Sequence, residues 1–169
     1  MTVPSDYTVR RARPQEFAEL GELTLAAYRA DGLLGHSSGD SYAEELRAAA
    51  HRAEHAELLA AVDPSGALLG TVTVAAPGSE YAEISREGEV EFRMLAVAAH
   101  ARGRGIGEAL TRAVLDRARE LDASRVVLCS LDTMRTAHRL YERLGFRRLP
   151  ERDWEPAPGV ALIAYELPA

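Results

Sequence analysis

The chain has no lysine: all 20 of its Lys and Arg positions are arginine, so it offers no side-chain amine of its own for modification. It has a single cysteine, Cys129. That excludes an internal disulfide and a cysteine-rich zinc site, and makes a reducing, cytoplasmic setting the expectation. No apolar run approaches the roughly 18 to 20 residues that a membrane-spanning helix needs. The first six residues, Met-Thr-Val-Pro-Ser-Asp, carry neither a basic segment nor an apolar one, so no signal peptide is expected. A surplus of positive charge is missing as well. The formal net charge is −6, which argues against a general nucleic-acid binder and leaves a local basic patch open.

What is present suits an ordinary soluble protein. Of 169 residues, 47% are apolar and 27% charged, enough for one domain, residues 1–169, with a real core. The periodicities predict a strand at Tyr7–Arg11 and a helix over Gln15–Ala30, with Phe17, Leu20, Leu23, Ala27 and Tyr28 on one face. A second helix begins near the capping-box pair Ser41 and Glu44 and runs to about Ala53. Glu57–Val62 and Ala67–Ala75 read as a hairpin joined by Asp63-Pro-Ser-Gly66. Later come a long amphipathic helix after Ile106, an apolar strand at Arg125–Leu131 and a helix over Thr133–Leu144 stopped by Gly145. Strands at Arg147–Leu149 and Val160–Leu167 close the chain, joined by a proline-rich loop holding Trp154. The order is that of a single mixed α/β domain.

The most informative stretch is residues 89–108. Glu89-Val-Glu-Phe-Arg-Met-Leu-Ala-Val97 reads as a strand whose alternation slips one phase between Met94 and Leu95, as a bulge or burial on both faces would cause. Arg102-Gly-Arg-Gly-Ile-Gly107 then feeds a helix. Glycines let backbone amides crowd an anion, the first-turn amides have no intrahelical partner, and two arginines add positive potential. A phosphate-bearing ligand on residues 102–108 is therefore expected.

Two segments together resemble the GNAT superfamily of acyl-CoA-dependent N-acetyltransferases. Arg102-x-x-Gly105-x-Gly107, after a strand ending in Leu95-Ala-Val97, is similar to that family's acyl-CoA pyrophosphate loop. Ala137-His-Arg-Leu-Tyr141-Glu-Arg-Leu-Gly145-Phe146 is similar to its last-helix motif. The resemblance implies a central, mostly antiparallel sheet of about seven strands, splayed between two parallel strands and flanked by four helices. It implies acetyl-CoA as co-substrate, with its pantetheine arm against the backbone of Leu95, Ala96 and Val97. The diphosphate is then expected on Arg102, Gly103, Arg104, Gly105, Ile106 and Gly107. Tyr141 is implied as the acid that protonates the leaving thiolate. Glu91 is implied as the carboxylate that deprotonates the amine, directly or through water, with Glu89 as fallback. Tyr28, His36 and Tyr42 flank a connection that commonly shapes the acceptor pocket. The chain departs from the pattern at Met134, where many members carry asparagine, and at Ala99 and Ala101, where proline and an aromatic are common.

The chemistry agrees with those residue types. An amine attacks a thioester only when neutral, and a carboxylate or a water chain can take its proton. An unpaired backbone N–H can hold the oxyanion. The expected function is acetyl transfer to a primary amine of a small molecule or peptide by direct attack in a ternary complex. A non-catalytic acyl-CoA-binding sensor is the alternative. A dinucleotide-dependent oxidoreductase is disfavoured, because Glu108 stands where that fingerprint needs its third glycine. No metal site, nucleic acid or membrane partner is expected, and the resemblance allows a homodimer. The acidic balance tilts the acceptor toward a cation. Nothing in the sequence names it.

Overall fold

The computed structural model describes residues 6–32 and 39–169, with side chains in the second stretch from residue 42 onward. It divides into two compact units, Met1–Val74 with Met94–Ala113, and Ala75–Arg93 with Val114–Ala169.

The first unit opens on β1 (Thr8–Arg11), followed by a 3-10 turn at Pro14–Glu16 and α1 (Phe17–Ala30). Pro14 suits the first turn because its missing N–H would have no partner there. Next come α2 (Gly39–Arg47) and α3 (Ala49–His55). One helix was expected here, and Ala48 divides it by leaving helical geometry, φ −80° and ψ 57°. The buried guanidinium of Arg52 secures the break: its Nη1 donates to Glu45 O at 2.8 Å and to Leu46 O at 2.6 Å, two carbonyls at the end of α2.

β2 (Glu57–Val62) and β3 (Leu68–Ala75) form the expected hairpin. Asp63 Oδ1 accepts the Ser65 and Ala67 amides, both at 2.9 Å, and Gly66 takes φ +90°. The strand order is β1-β2-β3 and then β4 (Glu89–Val97), whose far end belongs to this unit. Ala98 N–H donates to Leu69 O at 2.8 Å just past that end. α1 and α3 bury Leu20 and Ala49 against Leu58, Ala60, Val62 and Leu68. Gly21 lets α1 approach the end of α2, since a Cβ there would lie 2.1 Å from Arg47 O. The unit ends in the first half of α4 (Ile106–Glu120).

The second unit holds the start of β4, the rest of α4, β5 (Arg125–Leu131), α5 (Arg135–Arg143), β6 (Arg147–Arg148), β7 (Trp154–Ala157) and β8 (Val160–Pro168). β4 and β5 run parallel and pair at Glu89–Arg125, Val90–Val126 and Glu91–Val127. β5 pairs antiparallel with β8 from Arg125–Pro168 to Leu131–Leu162, and β6 and β7 both pair with β8. The expected mixed α/β architecture, mostly antiparallel with one parallel pair, is present. Among the described residues the strands number eight and the α-helices five. The extra helix comes from the break at Ala48. β7 stands within the expected proline-rich loop, and Pro156 falls where its register with β8 shifts, between Trp154 and Ala157. No described helix is long and apolar enough to cross a membrane.

Candidate functional site

In the first unit, β4 delivers the chain to the glycine-rich loop. Met94 takes φ +56°, a left-handed backbone that is rare outside glycine. This coincides with the break in alternation read from the sequence. Its buried side chain packs with Leu25, Tyr28, Ala43 and Leu46, and Tyr42 lies against the same cluster. Tyr28 and Tyr42, two of the expected substrate contacts, meet edge to face with ring centroids 6.1 Å apart. His36, the third, lies outside the described residues. Beyond Met94, Leu95 and Val97 are half-buried and Ala96 is buried.

Gly103 and Gly105 adopt φ +80° and +76°. A Cβ on Gly103 would meet nothing within 4 Å, so the space beside that residue is open. Gly105 O accepts the Ala109 N–H at 3.0 Å and starts α4 from Ile106. The loop therefore combines left-handed glycines, a 15-residue helix N-terminus and two arginines, a donor set that fits a diphosphate. Each arginine already faces an acid. Arg102 Nη1 lies 3.0 Å from Asp31 Oδ1, and Arg104 Nη2 lies 2.7 Å from Asp6 Oδ1. The Tyr7 hydroxyl donates toward Gly105 O at 3.3 Å and Arg104 O at 3.4 Å.

In the second unit, Tyr141 lies on α5, which ends at Gly145 as expected. Gly145 has φ +100°, and the Phe146 and Gly145 amides donate to Tyr141 O and Glu142 O. Tyr141 is only 5% exposed. Its ring packs against Phe92 and Phe146, both with centroids at 5.8 Å, and against Tyr165 at 5.9 Å. Burial, with a smaller contribution from Tyr165, holds its phenol pKa well above the usual value, so the hydroxyl keeps its proton. On the previous turn His138 is half-buried. Its Nε2–H donates to Leu131 O at 3.0 Å, with Ser130 Oγ at 3.1 Å, and its ring lies over Tyr165.

Glu91 is fully buried on β4. Its Oε1 accepts the backbone amides of Glu83, Ile84 and Ser85 at 2.9, 3.0 and 2.9 Å, and its Oε2 lies 3.1 Å from the Glu83 amide. A carboxylate held this way anchors a loop. Glu89 does the same for the next turn. It accepts Arg86 N–H at 2.8 Å and grips both terminal nitrogens of Arg152, at 2.5 and 2.9 Å, while Arg125 Nε sits 2.9 Å from Oε2. Burial alone would raise the Glu89 pKa. The Arg152 fork, the Arg86 amide and Arg125 outweigh it and hold the carboxyl below its usual range. The sequence offered no signal for Arg152, since its partner is 63 residues away. Cys129 is half-buried on β5, and burial pushes its thiol up to about 12 despite a hydrogen bond from Trp154. A thiol so placed is a poor nucleophile at neutral pH.

Residues 18–146 match the model of the acetyltransferase (GNAT) family. The chain belongs to the GNAT family. This GNAT protein is 44% identical over 84 residues to the N-acetylaspartate synthetase of Danio rerio, a match covering 48% of the chain and 30% of that protein's length. It is 31% identical over 113 residues to an uncharacterized N-acetyltransferase of Schizosaccharomyces pombe, covering 67% of the chain and 65% of that protein. The fold matches PaiA N-acetyltransferase of Thermoplasma acidophilum in complex with coenzyme A. The TM-score is 0.74 at 13% identity, over 96% of this chain and 99% of that one. A GNAT acetyltransferase of Staphylococcus aureus matches equally well, with a TM-score of 0.74 at 16% identity over 96% and 98%.

Proposed function

We propose that this GNAT protein transfers the acetyl group of acetyl-CoA to a primary amine by direct attack, without a covalent enzyme intermediate. The observation that carries the reading is the 102–107 loop, with Gly103 and Gly105 in left-handed conformations ahead of α4 and two arginines beside them. In this reading the loop amides, with Arg102 and Arg104, bind the diphosphate. The backbone of Leu95, Ala96 and Val97 carries the pantetheine arm. The amine nitrogen forms a bond to the thioester carbon, and the C–S bond opens. The Tyr141 hydroxyl hydrogen-bonds to the departing sulfur and passes it a proton, then regains one from solvent. Burial keeps the phenol protonated at neutral pH, the form a donor needs, and raises the cost of giving that proton up, so the transfer is coupled to C–S cleavage in this proposal.

The proton released by the amine goes to water in this proposal. Glu91 is assigned the part of a loop anchor, which is supported by the amides already occupying its carboxylate. Tyr28 and Tyr42 are proposed to border the acceptor, with His36 in the same connection. A soluble, cytoplasmic setting is part of the proposal.

A second reading concerns the acceptor. The sequence's acidic balance favours a cationic amine, whereas the 44% identity to an N-acetylaspartate synthetase favours an acidic amino acid. A screen of acetyl-CoA-dependent thiol release over L-aspartate, other amino acids, polyamines and peptide N-termini separates the two. Turnover with any of them supports acetyl transfer. Tight CoA binding with no turnover across the panel overturns it and favours a sensor.

A further inference from the structure

We infer that Asp6, Tyr7 and Asp31 form a clasp that sets how tightly the 102–107 loop holds its anion. Tyr7 fixes the loop's shape, and the two aspartates are resident counter-ions that the incoming diphosphate replaces. The inference rests on the proposed use of that loop for acyl-CoA.

The geometry of Tyr7 is specific. Its hydroxyl reaches the consecutive carbonyl oxygens of Arg104 and Gly105 at 3.4 and 3.3 Å, and the Arg104 guanidinium lies over its ring at 5.9 Å. These are contacts across 97 and 98 residues of sequence. One phenol proton shared between two adjacent carbonyls, at long range, biases the orientation of the peptide planes at the glycine turn. Left-handed glycines have broad conformational freedom, so an isolated loop of this composition would lose entropy on ordering around an anion. A side chain that orders the loop beforehand removes part of that loss.

The aspartates act in the opposite sense. Both ion pairs are exposed, with side-chain accessibilities of 34% and 72% for Arg104–Asp6 and 46% and 45% for Arg102–Asp31. Exposed pairs contribute little and are easily exchanged. A diphosphate that takes both arginines must displace both carboxylates and tolerate their charge nearby. Asp31 is also the residue that caps the C-terminal end of α1, where the helix dipole disfavours an acid. Arg102, 3.0 Å from Asp31, offsets that charge. Losing Arg102 to a ligand leaves Asp31 against the dipole. Two neighbouring residues, Asp6 and Tyr7, are thus assigned opposite effects on the same ligand.

The test is titration calorimetry of the full chain with CoA, and in parallel with pantetheine, which lacks the diphosphate. Tyr7→Phe keeps the ring under Arg104 and removes only the hydroxyl. It is expected to weaken CoA binding roughly two- to five-fold, the loss of one long, shared hydrogen bond. Asp6→Asn and Asp31→Asn are each expected to tighten CoA roughly two- to five-fold at low salt, with the gain shrinking as salt rises. Pantetheine affinity and kcat at saturating acetyl-CoA should stay put in all three. A merely structural role for Tyr7 would move both ligands together, and that result overturns the clasp. So does an unchanged CoA affinity in Tyr7→Phe, or a weaker one in Asp6→Asn. If wild-type protein binds pantetheine and CoA equally, the loop does not hold a diphosphate, and the proposed function fails along with the inference.

Discussion

Ser85 donates its backbone N–H to the buried carboxylate of Glu91 at 2.9 Å, the last of three consecutive amides to do so. Deleting that carboxylate leaves three amides without their acceptor. Glu91→Ala should lower the unfolding free energy by about 2–4 kcal/mol, measured by denaturant titration. Glu91→Gln keeps one acceptor oxygen and should retain most of the stability. Its pH–rate profile should overlay that of wild type. An acid limb that disappears in Glu91→Gln while Tm holds would restore the base role that its position in the sequence suggests.

Tyr141→Phe removes one oxygen from a well-packed aromatic cluster. The contacts with Phe92, Phe146 and Tyr165 involve the ring, so thermal stability should shift by only a few degrees. Loss of a proton donor to the leaving sulfur should lower kcat about 100-fold, with little change in KM for acetyl-CoA. Steady-state kinetics decide the point, and unchanged turnover removes Tyr141 from the chemistry.

Acid should weaken the link between β1 and the start of α1. Glu16 accepts both terminal nitrogens of Arg10, at 2.9 and 2.8 Å, and the Arg13 amide at 2.8 Å. The Arg10 hydrogen bonds, opposed by burial, lower its pKa from 4.5 to about 2. A carboxylate whose pKa falls on folding contributes its stability above the unfolded value and loses it as pH drops through the folded one. Glu16→Gln should therefore be less stable than wild type by about 1–2 kcal/mol at pH 7, after solvent screening. The gap should close between pH about 4.5 and about 2, as read from Tm against pH.

α4 ends with an avoidable strain. Asp122 takes φ +56°, while the Ala123 amide donates to Ala118 O at 2.9 Å and the Asp122 amide to Arg119 O at 3.1 Å. This is the helix ending in which glycine is favoured. Asp122 also puts a negative charge at the negative end of the helix dipole. Asp122→Gly should raise stability by about 0.5–1 kcal/mol, or roughly 2–4 °C in Tm by calorimetry, without altering turnover.

The contrast between Asp122 and Gly145 explains what the sequence could reveal. Both residues end a helix in the same way, but only glycine announces it, so the stop after α5 was legible and the one after α4 was not. The slip at Met94 was legible because a left-handed residue breaks a period of two. The loop at 102–107 was legible because its glycines and arginines are contiguous. The division at Ala48 was hidden, since alanine is a helix former and the reason for the break is a buried arginine further along. Around Trp154 the nearby Pro156 and Pro158 give the sequence the look of a loop, which hides its pairing with Leu162 in β8. The partners of Glu91 are backbone amides, which no side-chain pattern records. Those of Arg102 and Arg104 lie 71 and 98 residues away, in stretches with no motif of their own.

The half-buried Cys129 has a practical corollary. It is the chain's one sulfhydryl, and with its pKa near 12 almost none of it is thiolate at neutral pH. In a colorimetric disulfide-exchange measurement the folded protein should stay dark on the timescale of turnover. Every equivalent of chromophore released then reports a molecule of CoA set free, so the protein serves as its own blank.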